Sequence, residues 1–367
     1  MALQKSHHID YYLVAVVTIL LILGSLLLAE ISAIFSHKQL GETSYYFFHQ
    51  IFFSLPIGII LGFIAFKIPL SYFKRFAWQS ILINLALMIL VFIPSIGITS
   101  GGAPRWLNLH FASFQPSELL KLIFIIYVST WLAHKIEKKV FDKTTIIPFI
   151  AILGVVASIL ILQSDASTLG VIAFLALVMY FSTNTPFWHT ALMSSIVLAG
   201  MLLFIKTTPF RMNRVLILLG IKDDPMGIGY QVKQALIAIG SGGILGVGIG
   251  MSKQINFLPE TMSDSIFAVY AEETGFVGSL ILIFLFMFLL WRAFIIAKNS
   301  PDKFSQIFAI GIGSWICLQA FINIGSMLDI FPLTGIPLPF ISYGGSHLIA
   351  ELIGIGILLN ISKYTKK

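Results

Sequence analysis

Asp264 stands in FLPETMSDSIFAVYAEETGFVG, residues 257 to 278, where Glu260, Asp264, Glu272 and Glu273 interrupt an otherwise apolar chain. A carboxylate where a polar loop meets an apolar run has one wet side and one dry side. Desolvation on the dry side raises its pKa toward a value useful for taking a proton from a hydroxyl. The same residue type just before an apolar run is also a favoured helix N-cap, so both roles stay open for Asp264. Glu260 follows Pro259 and suits a second acid, a cation ligand or a turn residue. Glu272 and Glu273 fall about two turns into the run, where a charge is costly unless paired or neutral, which favours structural hydrogen bonds or ion pairs.

Two further segments carry polar groups. In PRWLNLHFASFQPSELLKL, residues 104 to 122, Pro116 fits a first helical turn. Glu118 and Lys121, three apart, share a face on which they can pair or line a polar cavity. Arg105 and Trp106 just ahead of them suit a membrane headgroup zone. In GIPLPFISYGGS, residues 335 to 346, Pro337 and Pro339 break any helix, Gly344 and Gly345 permit unusual backbone angles, and Ser342, Tyr343 and Ser346 offer hydroxyls.

The elements that position these groups follow from composition. With 57% hydrophobic and 11% charged residues, most of the chain is suited to lipid. Apolar runs near the length needed to cross a bilayer lie at about 11 to 33, 46 to 66, 76 to 94, 116 to 134, 146 to 163, 167 to 183, 187 to 205, 266 to 296, 304 to 327 and 338 to 361. Backbone groups in lipid must be satisfied within the segment, so these ten runs are expected as helices. The fold class expected is therefore all-α, a polytopic membrane protein of about ten transmembrane helices in one domain over residues 1 to 367.

An even number of spans puts both termini on one side. Most of the 23 Lys and Arg residues, among them Lys5, Lys67, Lys74, Arg75, Lys135, Lys138, Lys139, Lys143, Arg292, Lys298, Lys303, Lys363, Lys366 and Lys367, then share that side, which makes it cytoplasmic. Of the acidic residues, only Asp10, Glu137, Asp142 and Asp302 sit clearly on it. The net charge of +7 is explained by this bias and by anionic headgroups, so no nucleic-acid partner is expected. Cys317 is the single cysteine and forms no internal disulfide. The first run reads as a membrane helix with no cleavable signal peptide.

One connection is long: residues 206 to 265, expected as a folded extracytoplasmic loop between helices 7 and 8. It carries Arg211 and Arg214 in PFRMNRV, the turn signal Asp223-Asp224-Pro225, a helix running into the glycine-rich bend of GYQVKQALIAIGSGGILGVGIG, and Lys253. The glycines lack the strand and spacing of a nucleotide loop, which leaves close backbone approach as the reading.

Taken together, RWLNLHFASFQPSELLKL, FRMNR, DDPMGIGYQVKQALIAIGSGG, LPETMSDSIFAVYAEETGFVG and PLPFISYGGS, in this order across nearly the whole chain, resemble the SEDS (shape, elongation, division and sporulation) family of FtsW and RodA. The resemblance implies a peptidoglycan glycosyltransferase that polymerises lipid II at the outer face of the bacterial plasma membrane. Asp264 aligns with the family's essential carboxylate. It implies as partners lipid II, the growing lipid-linked glycan strand, a class B penicillin-binding protein and other divisome proteins. Met262, Ser263 and Ser265 replace residues usual in the family. QSDASTLG keeps Asp165 without the usual proline, and His347 and Glu351 follow SYGGS with no family role assigned to them.

On this resemblance Asp264 serves as general base in an inverting transfer or as a metal ligand. Arg211, Arg214, Lys253 and Arg105, with a divalent cation (Mg2+ or Mn2+), are expected to stabilise the departing diphosphate. Glu260, Ser342 and Tyr343 join them as expected substrate-binding residues. Glu118, Lys121, Asp165 and Glu272 are expected to be structural or cavity-lining. The wording SDSIFAV favours the division branch over an elongation-type polymerase. A lipid II flippase, using Glu118, Lys121 and Asp165 along its path, and a non-catalytic scaffold are the alternatives. The absence of a visible inverted repeat disfavours a transporter.

Overall fold

The computed structural model describes residues 9–40, 44–100, 102–109, 113–138, 143–183, 187–206, 209–222, 224 and 226–365. The apolar runs form helices, as backbone satisfaction in lipid demands. In chain order these are α1 (Tyr11–Leu40), α2 (Tyr45–His49), α3 (Leu55–Lys67), α4 (Leu70–Leu90), α5 (Pro116–Glu137), α6 (Lys143–Leu162), α7 (Ala166–Phe181), α8 (Phe187–Lys206), α9 (Pro209–Leu218), α10 (Ile228–Ser241), α11 (Ile266–Lys298), α12 (Lys303–Met327) and α13 (Gly345–Ser362). A π-helical turn, Gln50–Ser54, joins α2 to α3 without a break. Among the described residues, seven segments are long and apolar enough to cross a membrane, and three shorter apolar helices lie in α6, α7 and α8. Their places are those of the ten runs.

The centre of the bundle is built from α5, α7, α12 and α13, with Phe124, Phe308, Trp315, Leu175 and Leu358 fully buried. Large apolar side chains such as Ile60, Phe63, Ile83 and Phe284 point outward, the arrangement expected where the surrounding solvent is lipid. Asp10 receives Arg292 Nη2 at 2.5 Å and its backbone N–H donates to Ser362 Oγ at 3.2 Å. Lys74 and Asp302 pair at 3.0 Å. The starts of α1, α4 and α12 therefore meet the ends of α11 and α13, and both chain ends share one end of the bundle. The charged positions Lys5, Lys139, Asp142, Lys366 and Lys367 lie outside the described residues.

The chain departs from an all-α fold between α4 and α5. Strands β1 (Gly97–Ser100), β2 (Ala103–Asn108) and β3 (Ser113–Phe114) form a small antiparallel sheet in that order, with Ile98 opposite Trp106 and Leu107 opposite Phe114. The segment is too rich in Gly and Pro for a span, and a tight turn through Gly102, at φ +76°, returns it on itself. Arg105 thus sits on β2.

The long connection folds as expected into local structure. Of the expected turn, Asp223 and Pro225 lie outside the described residues. Asp224 accepts from the N–H groups of Gly227 and Ile228 at 3.0 and 2.9 Å and so starts α10.

The glycine-rich bend packs backbone to backbone against α11, which breaks at Gly275 (φ 66°, ψ −162°). The carbonyls of Glu272 and Glu273 accept from Val247 and Gly248 at 3.0 and 3.1 Å. The N–H groups of Phe276 and Val277 donate to Gly243 and Ile244 at 2.9 and 3.1 Å. A Cβ on Gly246 would lie 2.0 Å from the Glu273 oxygen, so no other residue permits this approach.

Candidate active site

The acidic turn is fixed from three directions. Within it, Glu260 adopts a left-handed φ of 51°, and its carbonyl accepts from Ser263 and Ser265 N–H at 3.1 Å each. From α12, Asn323 Nδ2 donates to the carbonyls of Asp264 and Ile336, both at 2.8 Å. From α10, Gln231 Nε2 donates to Ser265 Oγ at 2.9 Å. The loop before α13 closes over the turn: Tyr343 N–H donates to Met262 O at 2.8 Å and Ser342 Oγ to Ser263 O at 2.5 Å.

With the backbone held, the Asp264 side chain is left nearly unserved. The N-cap residue of α11 is Ser265, without a side-chain cap, so Asp264 does not spend its carboxylate on capping. It accepts from Ser263 Oγ at 3.2 Å, and the same hydroxyl reaches Glu260 Oε2 at 2.9 Å. Burial, then the Glu260 charge, push the Asp264 pKa up from 3.8 to about 6. Hydrogen bonds from its own backbone and Ser263, and the Arg214 charge, oppose the rise. Gly335, at φ +71°, leaves open space beside the carboxylate, since a Cβ there would meet only Asp264 Oδ2, at 3.8 Å.

Arg214 acts on this carboxylate directly, and Arg105 in turn acts on Arg214 and on Arg211. Arg214 on α9 donates through Nη1 to Leu333 O at 2.6 Å. Its pKa is lowered by burial, with Asp264 opposing and Arg105 adding to the fall. Burial and then Arg105 likewise lower that of Arg211. Arg105 reaches back from β2 to the carbonyls of Gln163 and Ser164, at 3.2 and 2.5 Å. Partly desolvated like charges this close favour an anion between them. Lys253 is anchored elsewhere: its N–H donates to Glu272 Oε1 at 3.0 Å, eight residues and roughly 12 Å of helical rise beyond Asp264.

Glu118, Asp165 and Glu272 each have strong partners. Lys121 Nζ lies 2.7 Å from Glu118 Oε2 and 3.1 Å from Gln319 Oε1, over the Trp315 ring at 5.7 Å, while Trp315 Nε1 also donates to Gln319. Asp165 caps α7, accepting from Thr168 N and Oγ1 at 3.1 and 2.9 Å and from Ser117 Oγ at 3.0 Å. Glu272 accepts from Ser252 Oγ at 2.5 Å and from the N–H groups of Lys253 and Gln254, tying the loop to α11.

With this geometry in place, three comparisons identify its relatives. The cell cycle protein family model covering FtsW, RodA and SpoVE matches residues 11–367. The chain belongs to this family. It is 34% identical over 360 residues to stage V sporulation protein E of Bacillus subtilis, covering 97% of this chain and 98% of that protein. It is 36% identical over 364 residues to the probable peptidoglycan glycosyltransferase FtsW of Hydrogenovibrio crunogenus, covering 98% and 92%. Among solved structures, a chain of a peptidoglycan synthase complex, studied for structural coordination of polymerization and crosslinking, shares the fold with a TM-score of 0.77 and 27% identity over 96% of this chain and 97% of that one.

Placed in this SEDS fold, Ser342 corrects an expectation. It is fully buried, accepts from Leu338 N–H at 2.8 Å and donates to Ser263, so its hydroxyl clasps the acidic turn rather than a ligand. Tyr343 turns its hydroxyl toward His49 Nδ1 at 3.2 Å. Sequence reasoning passed over Asn323 and Gln231 because neither is charged. Gln319 and Asn323, one helical turn apart in an apolar run, were the available signal.

Proposed function

We propose that this SEDS protein is a peptidoglycan glycosyltransferase that joins lipid II units into β-1,4 glycan strands, with Asp264 as the general base. The observation that carries the reading is a buried, weakly partnered carboxylate, raised to about 6 and acted on by Arg214, with Arg105 acting in turn on Arg214 and Arg211. Asp264 takes the proton from the acceptor sugar's 4-hydroxyl as that oxygen attacks the donor's anomeric carbon. The bond to the donor pyrophosphate breaks with inversion, and the arginines hold the departing diphosphate. Arg214, fixed by Leu333, and Arg105, fixed by the turn after α6, are preorganised for this and need little rearrangement as charge develops.

A divalent cation, Mg2+ or Mn2+, is part of the proposal. No group of three or more His, Cys, Asp or Glu that could hold a metal occurs among the described residues. Asp264 and Glu260, both bonded to the Ser263 hydroxyl, fit instead an ion that keeps waters and binds one or two carboxylates plus substrate phosphates. When bound, it would neutralise diphosphate charge.

The chemistry belongs at the extracytoplasmic face of the plasma membrane, with both termini cytoplasmic. The Lys and Arg bias supports that orientation. Septal synthesis with a class B penicillin-binding protein is the proposed setting, supported by the relative named FtsW and by the likeness to a chain from a synthase complex. The test is glycan formation from lipid II with divalent cation, by the purified chain with and without its transpeptidase, comparing wild type with D264A. Retained polymerisation by a folded D264A removes Asp264 from the centre. The wild-type rate should rise with pH through about 6, because the base must be ionised.

A further inference from the structure

Glu351 on α13 is fully buried and has no place in the chemistry above. Its Oε2 accepts from Phe340 N–H at 2.9 Å, and its Oε1 has no hydrogen-bond partner among the described residues. Phe340 has φ +63°, a left-handed conformation that is strained for a bulky residue. Such strain persists only where the surroundings fix it, and it gathers at functional sites.

Phe340 lies just before the contacts that close over the acidic turn. Leu338 N–H donates to Ser342 Oγ at 2.8 Å, Ser342 Oγ donates to Ser263 O at 2.5 Å and Tyr343 N–H donates to Met262 O at 2.8 Å. Met262 and Ser263 are the two residues before Asp264. Glycine at position 340 would adopt the same φ without strain or a buried carboxyl. This chain keeps both the bulky residue and the carboxyl that restrains it.

We infer that Glu351 is a positioning residue for Asp264: it holds Phe340 left-handed, and through Ser342 and Tyr343 sets the backbone that aims the carboxylate. The inference rests on the reading of Asp264 as the base. Glu351 feels the charges of Lys121 and Glu118 and has His347 one turn away. Asp264 is faced by Glu260, Ser263 and Arg214.

The experiment follows lipid II polymerisation by the full-length chain across the acidic pH range for wild type, E351A, E351Q, S342A and D264A. E351Q retains a carbonyl acceptor for Phe340 and should stay within about two-fold of wild type. E351A should lose on the order of ten-fold in kcat with KM little changed, because small misplacements of a reacting group are expensive.

S342A, which cuts the link to Ser263 with Glu351 intact, should lose kcat in the same way with KM little changed, and it decides the matter if E351A does not fold. A purely structural loss would lower the amount of folded, monodisperse protein while leaving kcat per folded molecule unchanged. A wild-type kcat in E351A, equal damage in E351A and E351Q, or a wild-type kcat in S342A overturns the role of Glu351. Activity in D264A overturns the reading of Asp264 itself.

Discussion

Glu118 and Asp264 are almost equally hidden, at 6% and 7% exposure, yet their surroundings differ in kind. Glu118 has an ammonium at 2.7 Å, itself shared with Gln319 and laid over an indole ring. Asp264 has a serine hydroxyl at 3.2 Å and the Arg214 charge, which acts through space. Burial alone therefore does not mark a reactive carboxylate. The distinction is whether the fold supplies enough donors to satisfy it, since a saturated acid holds structure together while an undersupplied one remains able to accept a proton.

The sharpest break between the two is kinetic. D264A should lower polymerisation at least about a thousand-fold, roughly 4 kcal/mol in the barrier, with folding intact, as judged by detergent-stable monodispersity. E118A or K121A should instead cost stability, about 3 kcal/mol or more, because each strands a buried charge; replacing both by Met should be far milder. Thermal unfolding of the singles and the double checks this, and equal damage in all three would dissolve the contrast.

The third effect has the opposite sign. Folding raises the Asp264 pKa from 3.8 to about 6, so ionised Asp264 disfavours the folded state. That cost is absent below about pH 4, grows between 4 and 6, and is complete above. D264N should then stabilise the protein by up to about 3 kcal/mol at neutral pH and not at pH 4, read as the pH dependence of its melting temperature. A smaller effect is expected for G335A, which places a Cβ beside Asp264 Oδ2 at a left-handed φ. A stability loss of about 1 kcal/mol and a few-fold fall in kcat would fit; an unchanged kcat would mean that the space beside the carboxylate is not used.

Much of the helical frame was legible because lipid leaves the backbone so few choices. The pairing of Glu118 with Lys121 was readable from spacing, and the weight of Asp264 from its isolation in apolar sequence. What escaped notice was tertiary. The sheet at Gly97–Asn108 has no apolar period to announce it. The bonds from Arg105 to Gln163 and Ser164 join positions nearly sixty residues apart. Ser342 looked like an available hydroxyl because only the folded loop shows that its lone pair and proton are already taken. Phe340 carries no glycine or asparagine cue for its left-handed backbone.

The break at Gly275 makes α11 continuous in sequence but not in mechanics. In an unbroken helix the amides of Phe276 and Val277 would bond the carbonyls of Glu272 and Glu273. Here all four groups are satisfied by the 243–248 bend instead. The short first segment of α11 is thus stitched to the loop and joined to the second through Gly275 and through the Tyr270 hydroxyl, which donates to Gly278 O at 3.0 Å. A displacement of the bend would therefore bear first on that segment, whose N-cap, Ser265, directly follows Asp264.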